Sequence, residues 1–396
     1  MRFAALVLAF GLAVPMGAAA GLALEVRAAV LRVDYPKLAP ISRYDDRPDD
    51  LGFAGAVLAT EDNSTTGSFL GQTYATETVA AAPEAAADAL DAILAEGTRI
   101  VVLMAEEPEF LALADRAGPD VLVLNALARD TALRDGECRA NVLHIAPSEA
   151  MMADAVAEFA IWKRWSRWFL IHGSNPADLA MAEAYRRAAA KFGAKIVEER
   201  EFEDTGGSRR TDTGYVQVQR QLPVFTQDPK EHDVVIAADA SDVFAPYLPF
   251  NLWTPRPVMG AAGLRPVTMH GAHEAWGATQ FQRRFEALTR RYMRDEDYQV
   301  WLALRVVGEA VTRTGTADAM ALRDYALSDA FELAAFKGVP VTFRRWNGQL
   351  RQPVLLYDGR ITVSVSPQDG FLHQVSPLDT LGLDAPESAC AAFERG

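Results

Sequence analysis

The stretch Trp168–Glu198, WFLIHGSNPADLAMAEAYRRAAAKFGAKIVE, decides the fold. Trp168 to Ile171 is a short apolar run of the kind that makes a strand buried on both faces. Leu179 to Phe192 reads as a helix, and Gly193 stops it, because glycine tolerates the left-handed conformation that ends helices. Lys195 to Glu198 is the next strand. Strand, helix and strand in this order make a βαβ unit with parallel strands and a right-handed crossover.

The same alternation extends in both directions. Upstream, Val26 to Val33 reads as a strand, Leu51 to Glu61 as a helix and Tyr74 to Val79 as a strand. Pro83 starts a helix that Gly97 ends, with Ala86, Leu90, Ile93 and Leu94 as its apolar stripe. Ile100 to Met104 and Val121 to Leu124 are buried strands around a short helix from Pro108 to Arg116. The pattern restarts where Ser148 caps a helix reaching about Trp165. Downstream, Tyr215 to Leu222 is helical, Val234 to Ala238 is a buried strand, and Val258 belongs to a short one. Two runs of βα alternation predict two doubly wound α/β lobes with parallel sheets.

The last third differs. Phe281, Phe285, Leu288 and Tyr292 follow helical spacing, Val300 to Val311 forms a helix apolar on several sides, and Leu322 to Leu327 a third. Val341 to Phe343 and Pro353 to Tyr357 flank Asn347-Gly348, a strong hairpin signal.

The chain has 396 residues, more than one ordinary core accommodates. Half are hydrophobic and 23% charged, a globular profile. The formal net charge of -14 disfavours nucleic acid and anionic membranes as partners. Arg2, the apolar run Phe3 to Val14 and the small residues Ala18-Ala19-Ala20 read as a secretory signal peptide over residues 1–20, too short for a membrane span. The mature chain is therefore expected in the periplasm, as a monomer. Cys138 and Cys390 are the two cysteines. In an oxidising compartment they read as one disulfide, with two buried free thiols as the alternative.

No catalytic signature is present: neither a G-x-S-x-G elbow, nor an H-E-x-x-H helix, nor a phosphate-binding loop. His270, His273 and Glu274 lie close in sequence but lack a second ligand pair, and read as hinge or surface packing. The acidic loop Asp45, Asp46, Asp49 and Asp50 is interrupted by Pro48 and does not have calcium-loop spacing. No metal site and no cofactor are expected, and the chain does not read as an enzyme.

The order of elements resembles the leucine/isoleucine/valine-binding group of type I periplasmic solute-binding proteins. The resemblance rests on His144-Ile145-Ala146-Pro147-Ser148 leading into a helix, on EAYRRAAAKFGAKIVEE (Glu183 to Glu199), and on the segment from Phe281 to Tyr357. It implies two lobes joined by a three-segment hinge. Residues 21–147 and 269–338 would form one lobe, and residues 148–268 and 339–396 the other. A small ligand would bind between them, for delivery to the permease of an ABC importer; a periplasmic sensor module is the alternative. The hydroxyl residues that usually hold an amino-acid carboxylate are replaced by Ala105-Glu106-Glu107 and Asn125-Ala126-Leu127. The strings RRTDTGYVQVQ, PRPVMG, WGATQFQRRF, FKGVPVTFRRW and SPQDGFLHQ, with GECRANVLHIAPS and APESAC around the cysteines, are similar to a subgroup associated with alcohol oxidation dependent on pyrroloquinoline quinone (PQQ). That likeness implies PQQ as the transported ligand, or else another aromatic acid or alcohol-oxidation product.

A planar polyanion needs guanidinium forks and aromatic surface. The candidates in loops expected to line the cleft are Arg43, Tyr44, Asn125, Arg129, His172, Arg209, Arg210, Asp239, Trp253, Arg265 and Trp276, with Arg256 beside Trp253. Each has a plainer role open to it: a loop arginine pairs with a carboxylate, a lone tryptophan packs, and His172 and Asp239 organise turns at strand ends.

Overall fold

The computed structural model describes residues 23–36, 40, 42–205 and 218–393. The expected leader at 1–20, and Arg209 and Arg210, lie outside the described residues.

The first parallel sheet is built from β1 (Leu24–Val33), β2 (Gln72–Ala81), β3 (Ile100–Met104), β4 (Leu122–Asn125) and β5 (Val142–His144), in the order β2-β1-β3-β4-β5. Its connecting helices are α1 (Phe53–Leu70), α2 (Ala86–Ala95) and α3 (Glu109–Ala117). Alternation along the strands sorts side chains into two cores. Val30, Val102 and Leu124 face one side, and Leu31, Val101 and Val123 the other. Both faces are covered, which is why these strands read as continuous apolar runs.

The second sheet repeats the plan. α4 (Glu149–Trp162) leads into β6 (Arg167–Gly173), α5 (Pro176–Phe192), β7 (Lys195–Phe202), α6 (Val218–Phe225), β8 (Val234–Ala238), α7 (Leu248–Asn251) and β9 (Val258–Gly260), with sheet order β7-β6-β8-β9. Ser148 caps α4 by accepting from the Met151 N–H, and Gly193 ends α5 at φ 76°. Trp168 and Leu170 face one core of this lobe, and Phe169 and Ile171 the other.

The remaining elements are β10 (Arg265–Val267), α8 (Ala278–Thr289), α9 (Asp295–Thr314), α10 (Ala319–Ala326), β11 (Thr342–Phe343), β12 (Leu350–Arg351), β13 (Val354–Tyr357) and β14 (Thr362–Ser366). The amphipathic stripe read through Tyr292 ends early. Arg290 adopts φ 59° and closes α8, leaving Tyr292 outside the helix and 71% exposed. The Asn347-Gly348 turn joins β11 to β12, which pair Thr342 with Arg351 and Phe343 with Leu350. It does not pair Val341–Phe343 with Pro353–Tyr357. Pro353 offers no N–H, and β13 instead joins β10 and β14 in an antiparallel sheet on the second lobe. Gly348, at φ 67°, is required: a Cβ there would sit 2.8 Å from the Val142 carbonyl.

Core membership shows where the chain passes between lobes. It leaves the first sheet through β5 into α4, returns between β10 and Met269, and leaves again between Leu350 and Val354. Packing therefore changes over at 350–354 and not at 339. The tail then makes a fourth passage. Leu381 packs in the second lobe, whereas Cys390 and Phe393 pack in the first. Cys138 and Cys390 form the disulfide, with sulfurs 2.02 Å apart and a sequence separation of 252.

Candidate functional site

In a doubly wound sheet, the crevice lies outside the carboxyl ends of the strands where the strand order reverses. Here that is between β1 and β3 in one lobe and between β6 and β8 in the other. A groove of about 790 Å³ runs alongside the segment that crosses from β10 back to the first lobe. One wall comes from the first lobe, with Tyr44, Asp45, Gln282, Arg283 and Arg294. The opposite wall comes from the antiparallel sheet of the second, with Arg265, Tyr357 and Arg360, and the crossing segment supplies Met269 and His270. A smaller cavity of about 200 Å³ shares Asp45 and Arg294 and reaches Tyr35, Arg47 and Met104. A third, about 580 Å³, lies between Arg129 and Glu149 on one side and Ala180, Met181 and Ala240 on the other.

The Arg129–Asp295 ion pair, 2.9 Å long, stands between these spaces. Asp295 is the first residue of α9, where a carboxylate is stabilised by the helix N-terminus. It also accepts from the N–H groups of Thr268 and Met269 and from the Thr268 hydroxyl, and so pins the crossing segment. Burial raises Glu149 and Glu296 above the ordinary carboxylate range, and Arg129 opposes that rise. Arg129 therefore lies in the cleft but is already neutralised.

Arg265 is differently placed. Its guanidinium lies 5.5 Å from the centre of the Tyr357 ring, and that ring stacks on His270 at 4.0 Å and 23°. The result is a layered, flat wall ending in an exposed cation. Among the described residues Arg265, Arg283 and Arg360 make no ion pair. Asp45, Glu274 and Glu286 share the rim with them. Behind the wall, burial holds His270 down to about 4 and Lys337 down to about 7. Lys337 donates to the Thr268 carbonyl.

The other sequence candidates have assigned places. Tyr44 is 80% exposed on the groove rim, with the Arg43 guanidinium 5.3 Å from its ring. The loop carbonyls of Tyr44, Asp45 and Asp46 accept from Arg294. Asn125 is fully buried and offers nothing to the cleft. Its amide bonds Ala128 O, the Leu127 N–H and His144 Nδ1, which shapes the loop after β4. His172 is buried at the end of β6, with its Nε2 3.3 Å from Glu199 and its Nδ1 2.8 Å from its neighbour's carbonyl. Asp239 accepts from the N–H groups of Val243, Phe244 and Ala245 and organises the turn after β8. Trp253 and Arg256 precede β9, so they sit at the amino end of the second sheet, away from the crevice; Arg256 donates to His232 O there. Trp276 packs on His273 and over Gly338 beside the groove without lining it.

Sequence reading missed Arg283, Arg360, Tyr292, Tyr357 and His270 as groove residues. Tyr292 was masked by its helical spacing and Tyr357 by its place in a strand, while Arg283 and Arg360 carry no local signal. The loop after β3 holds no free amide anchor at Glu106, because the Tyr35 hydroxyl accepts from that N–H at 2.9 Å.

Residues 52–210 match the family model described as periplasmic binding protein. No curated protein sequence matches the chain significantly. Among solved structures, a branched chain amino acid ABC transporter periplasmic ligand-binding protein from Burkholderia xenovorans LB400 is 18% identical, with TM-score 0.69, covering 93% of this chain and 100% of that one. A leucine-, isoleucine-, valine-, threonine-, and alanine-binding protein from Brucella ovis, in closed conformation, is 14% identical over 84% of this chain and 89% of its own, with TM-score 0.66. An ABC transporter solute binding protein from R. palustris, in complex with benzoate, is 13% identical over 93% and 99%, with TM-score 0.63. With its two parallel sheets and the crossings between them, the chain has the α/β fold of the two-lobed type I periplasmic binding proteins.

Proposed function

We propose that this chain is a periplasmic solute-binding protein of an ABC importer, and that its groove takes a planar aromatic carboxylate. The observation that carries the reading is the Arg265–Tyr357–His270 stack, with Arg283 and Arg360 unpaired nearby. A guanidinium over an aromatic face matches a carboxylate attached to a flat ring, and cation–π contact adds to the fork. The groove volume falls in the range of small-molecule sites, about 300–1,000 Å³. A benzoate complex exists for a protein of this fold. PQQ, a flat quinone with three carboxylates, is the specific ligand we put forward, since three arginines await partners. Asp45, Glu274 and Glu286 on the rim favour a second reading, a ligand that carries a cationic group as well, such as an amino acid. The importer's permease is the proposed partner, and no chemical step belongs to this role.

The test is a thermal-shift and calorimetric titration with PQQ, benzoate and leucine. Binding to the native state alone raises the melting temperature. We expect PQQ or benzoate to stabilise the protein, and Arg265→Ala to weaken that binding about tenfold or more, the effect of a lost charge-assisted contact. Stabilisation by leucine alone, indifferent to Arg265, would overturn the aromatic-acid reading.

A further inference from the structure

Two histidines behind the groove converge on one hydroxyl. His270 Nε2 lies 2.8 Å from Thr362 Oγ1, and His273 Nδ1 lies 3.1 Å from the same atom. His273 Nε2 is 3.2 Å from the Phe336 carbonyl. These contacts fix every proton in the chain. A carbonyl only accepts, so His273 Nε2 carries hydrogen and donates. In neutral His273, Nδ1 is then bare and accepts the single Thr362 hydroxyl hydrogen. That hydrogen is now used, so His270 Nε2 must donate to Thr362 Oγ1. His270 Nδ1 is left as a bare acceptor, and it has no hydrogen-bond partner. Both rings are held neutral by burial, with the Lys337 charge acting in the same direction on each.

An unpaired buried acceptor is a standing penalty that an incoming donor relieves. His270 lines the groove at its crossing-segment side and is 6% exposed. The partners that fix it, Tyr357 and Thr362, stand on the sheet of the second lobe. We infer that His270 Nδ1 is a preset hydrogen-bond acceptor of this site, so that the ligand class is an aromatic acid that also carries a hydroxyl or N–H donor. This rests on the aromatic-acid reading above and deepens it. A donor-free acid fills the arginine contacts but leaves Nδ1 unpaired, whereas a hydroxylated acid satisfies both.

The experiment compares 4-hydroxybenzoate with benzoate by calorimetry, alongside 15N NMR of histidine-labelled full-length protein. Free protein should show His270 as the Nε2–H tautomer. Addition of 4-hydroxybenzoate should move the Nδ1 signal towards the hydrogen-bonded range, and benzoate should not. The hydroxylated acid should bind about 2- to 10-fold more tightly, the factor that one ordinary hydrogen bond supplies. His270→Phe keeps a ring against Tyr357 and should bring that ratio towards one. Should it fail to fold, Thr362→Val serves instead, since it removes the group that sets the tautomer. A free-state Nδ1–H tautomer, or equal affinities with an unmoved Nδ1 signal, overturns the acceptor assignment and leaves the aromatic-acid reading intact. Failure of both benzoates and PQQ to bind overturns the two together.

Discussion

Asp239 shows how a single carboxylate at a strand end is occupied from within. Its Oδ2 accepts from the Phe244 and Ala245 N–H groups at 2.7 and 2.6 Å, and its carboxylate also takes the Val243 N–H. These are the unsatisfied donors at the start of the short helical turn 245–247 that leads into α7. Asp239→Ala strands three buried N–H groups, and we expect a loss of about 3 kcal/mol in urea unfolding. Ligand affinity of the folded fraction should not change. A fall in affinity without a fall in stability would instead mark Asp239 as a ligand contact. Asn125 and His172 make the same point about legibility. Their positions at the carboxyl ends of β4 and β6 were readable, because apolar runs and a following cap mark where strands stop. Their use was not, because a short polar side chain at such an end serves a loop or a ligand equally well. Only the neighbours that fold brings in, Ala128 and His144 for Asn125 and Glu199 for His172, decide between the two.

At the scale of elements, the strands and most helices were legible from periodicity, while segments whose pairing depends on distant partners were not. β5, β10 and β14 are three to five residues long, too short to show a period. α4 was readable as an apolar stretch interrupted by Asp154 and Glu158, and the structure gives those two carboxylates their purpose. They are one turn apart and both hold the tail. Asp154 bonds Arg187, Lys191 and the Gly382 N–H. Glu158 accepts from the Gln368 N–H at 3.0 Å and the Thr380 hydroxyl at 2.6 Å. Burial pushes Glu158 up to about 7, the hydrogen bonds from Thr380 and Gln368 pull it back, and Asp154 adds to the rise. A carboxyl that binds its proton more tightly when folded contributes stability below its unfolded value, near 4.3, and that contribution is lost as pH rises towards 7. Its full size is about 4 kcal/mol. Glu158→Gln keeps the shape and never ionises. Relative to the parent, it should therefore gain melting temperature at pH 8 and much less at pH 5. A difference between the two proteins that stays constant with pH would refute this role for Glu158.

Across the whole molecule, the tail is what distinguishes this chain from two lobes on three crossings. Residues 366–383 lie on the second lobe, where Leu381 packs in its core and Gly382 is bonded by Arg187, Lys191 and Asp154. Arg344, buried beside the third crossing, takes the tail through Asp379 and the carbonyls of Leu378 and Leu381. The chain then reaches the first lobe. The Ser388 hydroxyl donates to Arg134 O, Cys390 bonds Cys138, and Phe393 joins the first core. The pairing of the cysteines was readable from their number and the expected compartment. That the intervening chain runs from one lobe to the other was not, because its anchors come from α4, α5 and the loop after β4. Hinged lobes move freely only when few contacts span them. A tail fixed at both ends adds a fourth link, which would limit how far they part. Cys390→Ser should cost about 2–4 kcal/mol of stability, the usual effect of removing a long-loop disulfide. If the tail limits opening, the same variant will also show a larger ligand-free radius of gyration by small-angle scattering, together with faster hydrogen exchange at 384–393. Lower stability with an unchanged radius would confine the disulfide to stabilising the fold, and would assign the limit on opening to the three crossings alone.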